Sequence, residues 1–211
     1  FITLSIEGAR LTFMDRKVTR SPRARRLSPE VRRAQLLDCA VRAVARLGVA
    51  DAGHGQVARE AGVSVPTVFV YFPTREELAR AVLVEVGRFI LEDVLEPAVA
   101  GEGPAPERLV NMALAFADAI DSHPDHARIW LDWSTSFRDD IWPLYADFQD
   151  RVVALVAAVV EEGKANGRID VEVDTGDAAR LLVASAHMLA QMKFTGQPRG
   201  KIDHFLRSLV A

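Results

Sequence analysis

HGQVAREAGVSVPTVFVYF, residues 54–72, reads as two short helices joined by a tight turn. Val57, Ala58 and Ala61 share one face of a first helix over about 54–61, and a second helix follows over about 65–72. Ala58 is small where two crossing helices must approach. Gly62, four residues later, supplies the permissive backbone that the turn needs. Val57, Val63, Val68 and Tyr71 are the apolar residues by which such a pair packs on its neighbours. Ser64, Pro66, Thr67 and Val70 remain outward on the second helix. These are modest side chains that enter a major groove without clashing. Ser64 stands at the N-cap, where free N–H groups and the positive helix end suit a phosphate.

The same reading extends in both directions. Upstream, Ser28-Pro29-Glu30 supplies an N-cap, a proline at N1 and an early acid. Leu36, Leu37, Ala40, Val41, Val44 and Leu47 then recur at helical spacing as far as Gly48. Downstream, Phe72-Pro73 ends the second short helix. Thr74-Arg75-Glu76-Glu77 is a capping box that opens a long helix through about Glu96, with Arg75 in its first turn. Pro97 and residues 101–106 predict a loop. Helices follow over about 106–121, 124–135, 139–166, 174–195 and 200–210, with Asn166-Gly167 and Gly196-Gln197-Pro198 as breaks. Only residues 169–173 alternate like a strand, and too briefly to form one. The expectation is an all-α chain of about nine helices, divided into an N-terminal extension and basic arm over 1–28, a helix-turn-helix unit over 29–73 and a helical body over 74–211.

Charge supports that division. The chain has 211 residues and a formal net charge of −3. Residues 1–80 carry a balance of +6 and residues 81–211 one of −9. A basic head on an acidic body is the asymmetry of a protein that meets a polyanion at one end. Arg20, Arg23 and Arg25 belong to a basic arm over 15–28 that lacks apolar periodicity and suits phosphates or a minor groove. With 49% apolar residues the chain builds a core without metal or disulfide. Its longest apolar run, Val152–Val160, is far short of the ~18–20 residues of a membrane span. Cys39 has no partner cysteine, which points to a reducing cytoplasm. Met14 is a candidate start, and Phe1–Phe13 are left out of the fold reading.

The run Val57-Ala58, Ala61-Gly62-Val63-Ser64, Thr67-Val68-Phe69, Tyr71-Phe72 and Glu76-Glu77-Leu78 resembles the DNA-binding segment of the TetR family of bacterial transcriptional regulators. A second block, Ile129-Trp130-Leu131-Asp132-Trp133-Ser134 with Ile141-Trp142-Pro143-Leu144, is similar to the LuxR/HapR branch, the quorum-sensing master regulators of vibrios. The resemblance implies a three-helix DNA-binding head over 29–73 on an effector-binding and dimerisation body over 74–211, working as a dimer bound to double-stranded DNA. It implies contacts from Ser64, Thr67 and Tyr71, from His54 at the preceding helix start, from Arg23 and Arg25 in the arm, and a phosphate clamp at Arg75. Where the vibrio branch has a small residue and an asparagine in the recognition helix, this chain has Pro66 and Val70. Val70 cannot donate to a base edge, though it can touch a thymine methyl.

The body offers two further readings. Trp130, Trp133 and Phe137, then Trp142, Tyr145 and Phe148, form aromatic stripes. The resemblance places Trp130, Tyr145, Gln149 and Val156 around a cavity suited to a small hydrophobic effector. Trp133 adds to the aromatic load, and His187 is placed to face the same space. Leu181, Leu182, Ser185 and Leu189 make one apolar stripe, and Phe205 and Leu209 belong to another. Two such helices per chain form a four-helix bundle across a two-fold axis, giving a homodimer on a near-palindromic operator. His123, Asp125 and His126 could hold a metal, but Pro124 between them marks an ordinary helix start. No GxSxG, HExxH or phosphate-cradling glycine loop is present. The expectation is a regulator without cofactor, metal or turnover. The alternative is a helical small-molecule-binding protein whose head no longer reads DNA.

Overall fold

In the computed structural model, residues 27–136 and 141–209 are described. Helix α1, Pro29–Leu47, starts where the Ser28 hydroxyl accepts from the Val31 N–H at 3.3 Å, and it stops at Gly48. Helix α2, His54–Ala61, ends at Gly62, whose φ of 65° is left-handed and whose N–H closes the last turn onto Ala58 and Arg59. Any side chain there would be strained. Helix α3, Val65–Tyr71, follows after two residues. Val57 and Val68 are wholly buried between the pair and α1. Glu60 on α2 pairs with Arg42 and Arg46 on α1 across the outer edge.

Helix α4, Arg75–Arg88, is capped by the Thr74 hydroxyl, which accepts from the Glu77 N–H at 3.1 Å. It does not stop before Pro97. It passes without a break into a π-helical segment, Phe89–Leu95, and then into α5, Glu96–Val99. The Glu96 N–H reaches back five residues to the Leu91 carbonyl, so the ladder shifts register just ahead of the proline. Pro97 follows directly, in the first turn of α5. Arg88 spans the change: it donates to both Glu85 and, five residues on, Asp93 at 2.7–3.0 Å.

The body continues with α6 (Ala105–Ser122), α7 (Pro124–Ser134), α8 (Trp142–Ala165), α9 (Thr175–Phe194) and α10 (Arg199–Leu209). Counting the α4–π–α5 rod once, the described residues form nine helical rods and no strand. Residues 169–173 are turns instead, because Gly163 accepts from the Arg168 and Ile169 N–H groups and ends α8. Helices α8 and α9 pack along each other, α6 lies against both, and α10 packs on α6 and α9. Helix α1 packs on α7 and α4, and α4 packs on α7 in turn. One apolar core runs from Leu36 to Leu206. No described helix is long and apolar enough to cross a membrane.

Candidate nucleic-acid interface and ligand pocket

Helix α3 presents a small exposed face. Ser64, Pro66 and Val70 are exposed, Val70 at 76%, while Thr67 and Tyr71 are half-buried. The Ser64 hydroxyl lies 2.8 Å from the Thr67 hydroxyl, so the two hydroxyls pair with each other and Ser64 caps no backbone N–H of α3 with its side chain. Tyr71 packs its ring against the core at the end of the helix.

His54 differs from expectation. It is buried, its Nε2 lies 2.7 Å from the Phe72 carbonyl oxygen, and its ring stacks on Phe69 at 3.9 Å between centroids. A carbonyl only accepts, so Nε2 carries the proton. The imidazole clamps α3 against α2 instead of projecting outward as a contact. The reason is the two-residue turn, which brings Phe69 and Phe72 over the start of α2. Arg75 is exposed, but its guanidinium donates to the Ala50 carbonyl and thereby ties the α1–α2 loop to the first turn of α4. Arg20, Arg23 and Arg25 lie outside the described residues, as does Phe137.

The body holds an apolar cavity of about 60 Å³. That is room for about four to six waters, with about 10–15 Å³ for each. Trp130, Tyr145 and Gln149 line it, as the resemblance implies. Trp133 and Val156 do not. Trp133 is buried at the head–body junction, where its indole donates to the Ile141 carbonyl at 3.2 Å and its ring meets Tyr145 and Phe148. Val156 is wholly buried in the core one turn beyond Val152, which does reach the cavity. His187 lies behind the wall: its ring packs on Trp130 at 4.5 Å, and its Nε2 lies 2.9 Å from the Ser134 hydroxyl. That hydroxyl in turn donates to the Leu131 carbonyl. Burial holds the His187 pKa below the ordinary imidazole value and raises that of the Tyr145 phenol.

Three residues expected at a dimer face turn inward instead. Leu182, Ser185 and Leu189 line the cavity, and Leu189 is 1% exposed. Leu181, at 70%, and Met188 are exposed on the neighbouring face of α9, about 100° round the helix, with Ala184 between them. Leu209 is exposed on α10, and Phe205 is half-buried. The spacings 182, 185, 189 and 181, 184, 188 are equally helical, so periodicity alone cannot say which stripe faces the cavity. The cavity also takes Ile90 and Leu95 from the π-helical rod and Met112 and Phe116 from α6. Ordinary apolar residues carry no signature in the sequence that marks them as lining a cavity.

His123 and His126 flank the Phe89 ring, with centroids 4.6 and 4.5 Å away. Among the described residues no group of three His, Cys, Asp or Glu is placed to hold a metal ion.

Comparison with known proteins agrees with this architecture. Residues 36–82 match the family of bacterial regulatory proteins, tetR family, and residues 102–191 match the tetracyclin repressor-like C-terminal domain. The HTH-type transcriptional regulator LuxR of Vibrio harveyi is 38% identical over 128 residues, covering 61% of this chain and 62% of that protein. The HTH-type transcriptional regulator BetI of Escherichia coli is 30% identical over 108 residues, covering 50% of this chain and 55% of BetI. The matches thus span little more than half the length of these relatives. A TetR-like transcriptional regulator from Rhodococcus superposes with a TM-score of 0.71 at 22% identity, over 88% of this chain and 96% of that one. FadR from Bacillus subtilis in complex with stearoyl-CoA gives 0.70 at 17% identity, over 84% and 95%. These two likenesses are of fold. With both the head and the body matched, the chain belongs to the tetR family of bacterial regulatory proteins.

Proposed function

We propose that this chain is a sequence-specific DNA-binding transcriptional regulator. It acts as a homodimer on a near-palindromic operator, with residues 29–73 reading DNA and residues 74–211 forming the dimer and holding an effector. The observation that carries the reading is the exposed face of α3, held on a helix pair that His54 clamps to the Phe72 carbonyl. A rigid short helix with its outer side chains free is what a major groove requires. The basic arm, with Arg20, Arg23 and Arg25, adds phosphate or minor-groove contacts. The protein works by binding in the cytoplasm, not by turnover.

The effector is a small neutral hydrophobic molecule. The cavity lining carries no Lys, Arg, His, Asp or Glu, and Gln149, Ser185 and Tyr145 are its residues with polar side-chain groups. A charged ligand would lie unpaired there. The cavity is small, so the effector must part its walls. One wall is the rod whose other end, Arg75, adjoins α3. From Arg75 to Ile90 the rod runs ~22 Å at 1.5 Å per residue. An effector that shifts the rod therefore changes the spacing of the two recognition helices and shifts the population between binding and non-binding forms.

The test is binding of the full chain to DNA from upstream of its own gene, against scrambled DNA, across 50–200 mM salt. Binding that prefers one sequence and weakens steeply with salt is expected. Equal, weak affinity for every DNA, including fragments selected from the whole genome, would overturn the reading and favour the small-molecule-binding alternative.

A further inference from the structure

The outer face of α3 has an unusual chemistry for a helix that reads bases. Its sequence, VPTVFVY, contains no Asn, Gln, Arg or Lys. Those are the side chains that make bidentate hydrogen bonds to adenine and guanine in the major groove. The hydroxyls at its start, Ser64 and Thr67, bond each other. The nearest amide, Gln56, has its Oε1 occupied by the Gly53 N–H at 3.3 Å. What α3 offers outward is apolar: Val65 is 39% exposed and Val70 76%, beside the exposed Pro66. Phe69 is also exposed, but one face of its ring lies flat on His54, with 8° between the planes. Valine is a weak helix former, and here it contributes nothing to the core, so neither local propensity nor packing accounts for Val70.

We propose that this recognition helix selects its operator through the 5-methyl groups of thymine, with Val70 and Pro66 as the specificity-determining residues and the Thr67 methyl beside them. The inference rests on the DNA-binding reading above and adds the chemical feature that is read. Thymine is the only base with a methyl in the major groove, and apolar side chains distinguish it by contact. Pro66 and Val70 are four residues apart and share one face of α3. Their Cα atoms are separated along the axis by ~6 Å at 1.5 Å per residue. DNA rises about 3.4 Å per base pair. The two side chains therefore address methyls about two base-pair steps apart in each half-site.

The experiment replaces thymine with uracil, which lacks only that methyl. The pairing and the minor groove are unchanged, so any contribution of the basic arm is untouched. Duplexes bound by the full-length dimer are first selected from a random library. Each thymine of one selected operator is then replaced singly by deoxyuridine. At one or two positions per half-site the affinity should fall about fourfold, the effect of one methyl moved from an apolar contact into water. In Val70→Ala, whose substitution site is exposed and carries no packing, one of those penalties should vanish. Val70→Thr keeps a methyl branch and should keep the penalty. Specific binding that no uracil substitution weakens would overturn the proposal while leaving the regulator reading intact, and so would a Val70→Ala variant with every penalty unchanged. A library that yields no preferred sequence would overturn the regulator reading itself, and this inference with it.

Discussion

His54 Nε2 and the Phe72 carbonyl oxygen are 2.7 Å apart, joining the first residue of α2 to the residue that closes α3. With the ring stacked on Phe69, this one side chain fixes the angle at which α3 is presented. The two groups are eighteen residues apart, so the bond exists only once the turn at Gly62 has formed.

His54→Ala removes a buried hydrogen bond and a stacked ring together. A loss of about 2 kcal/mol is expected, which lowers the melting temperature by about 4–8 °C for a chain of this size. Operator affinity should fall as well, because α3 loses its clamp. Thermal unfolding followed by circular dichroism checks the first effect, and an unchanged melting temperature would show that the clamp is idle.

The arm makes a separable prediction. Replacing Arg23 and Arg25 by Ala should reduce the slope of log affinity against log salt by ~0.9 for each lost phosphate contact. Titrations at several salt concentrations measure it directly. Identical slopes for the variant and the parent would mean that the arm touches no phosphate.

The stripe on α9 decides the dimer. Leu181→Glu with Met188→Glu places charges on an exposed face and should give a folded monomer by light scattering, with operator affinity reduced ~10²-fold through loss of the second half-site. Leu189→Glu puts a charge into a position that is 1% exposed and should unfold the body instead. A dimer that survives the Leu181/Met188 pair of substitutions places the interface elsewhere.

Gly163→Ala tests the packing at the end of α8. A Cβ there would stand 2.6 Å from Ile169 Cδ1 and 2.9 Å from Ala105 Cβ. Overpacking costs about 1–3 kcal/mol, and the gain in helix propensity offsets up to about 1 kcal/mol. Net destabilisation is expected. A higher melting temperature in the variant would contradict the close contact.

Acid should weaken the fold as the pH falls below about 6.5. Burial holds the His187 and His126 pKa values below the ordinary 6.5, with the neighbouring His123 adding to the effect at His126. Both imidazoles are therefore neutral in the folded chain at pH values where the unfolded chain already protonates them. Their contribution is complete above pH 6.5 and is lost as pH falls toward the lowered folded values. The melting temperature should decline across that window, and the decline should be shallower in His187→Gln. Equal slopes for parent and variant would remove His187 from the account.

Much of this molecule is settled by short-range chemistry. The Ser28-Pro29 start, the Thr74 N-cap and the Gly62 turn act within four residues, and each stands where the sequence pattern placed it. The helix-turn-helix and the outward set Ser64, Pro66, Thr67 and Val70 follow from the same local rules. Pro97 misled because a proline's meaning depends on hydrogen-bond register, and a π turn had shifted that register beforehand. His54 and the two stripes of α9 needed the folded chain for another reason. A polar residue at a helix start, or one apolar stripe among two, has the same local pattern whether it faces solvent, a cavity or a partner. Its direction is set by what packs opposite: Phe69 and Phe72 over His54, and Trp130, Phe148 and the α4 rod across from Leu182, Ser185 and Leu189.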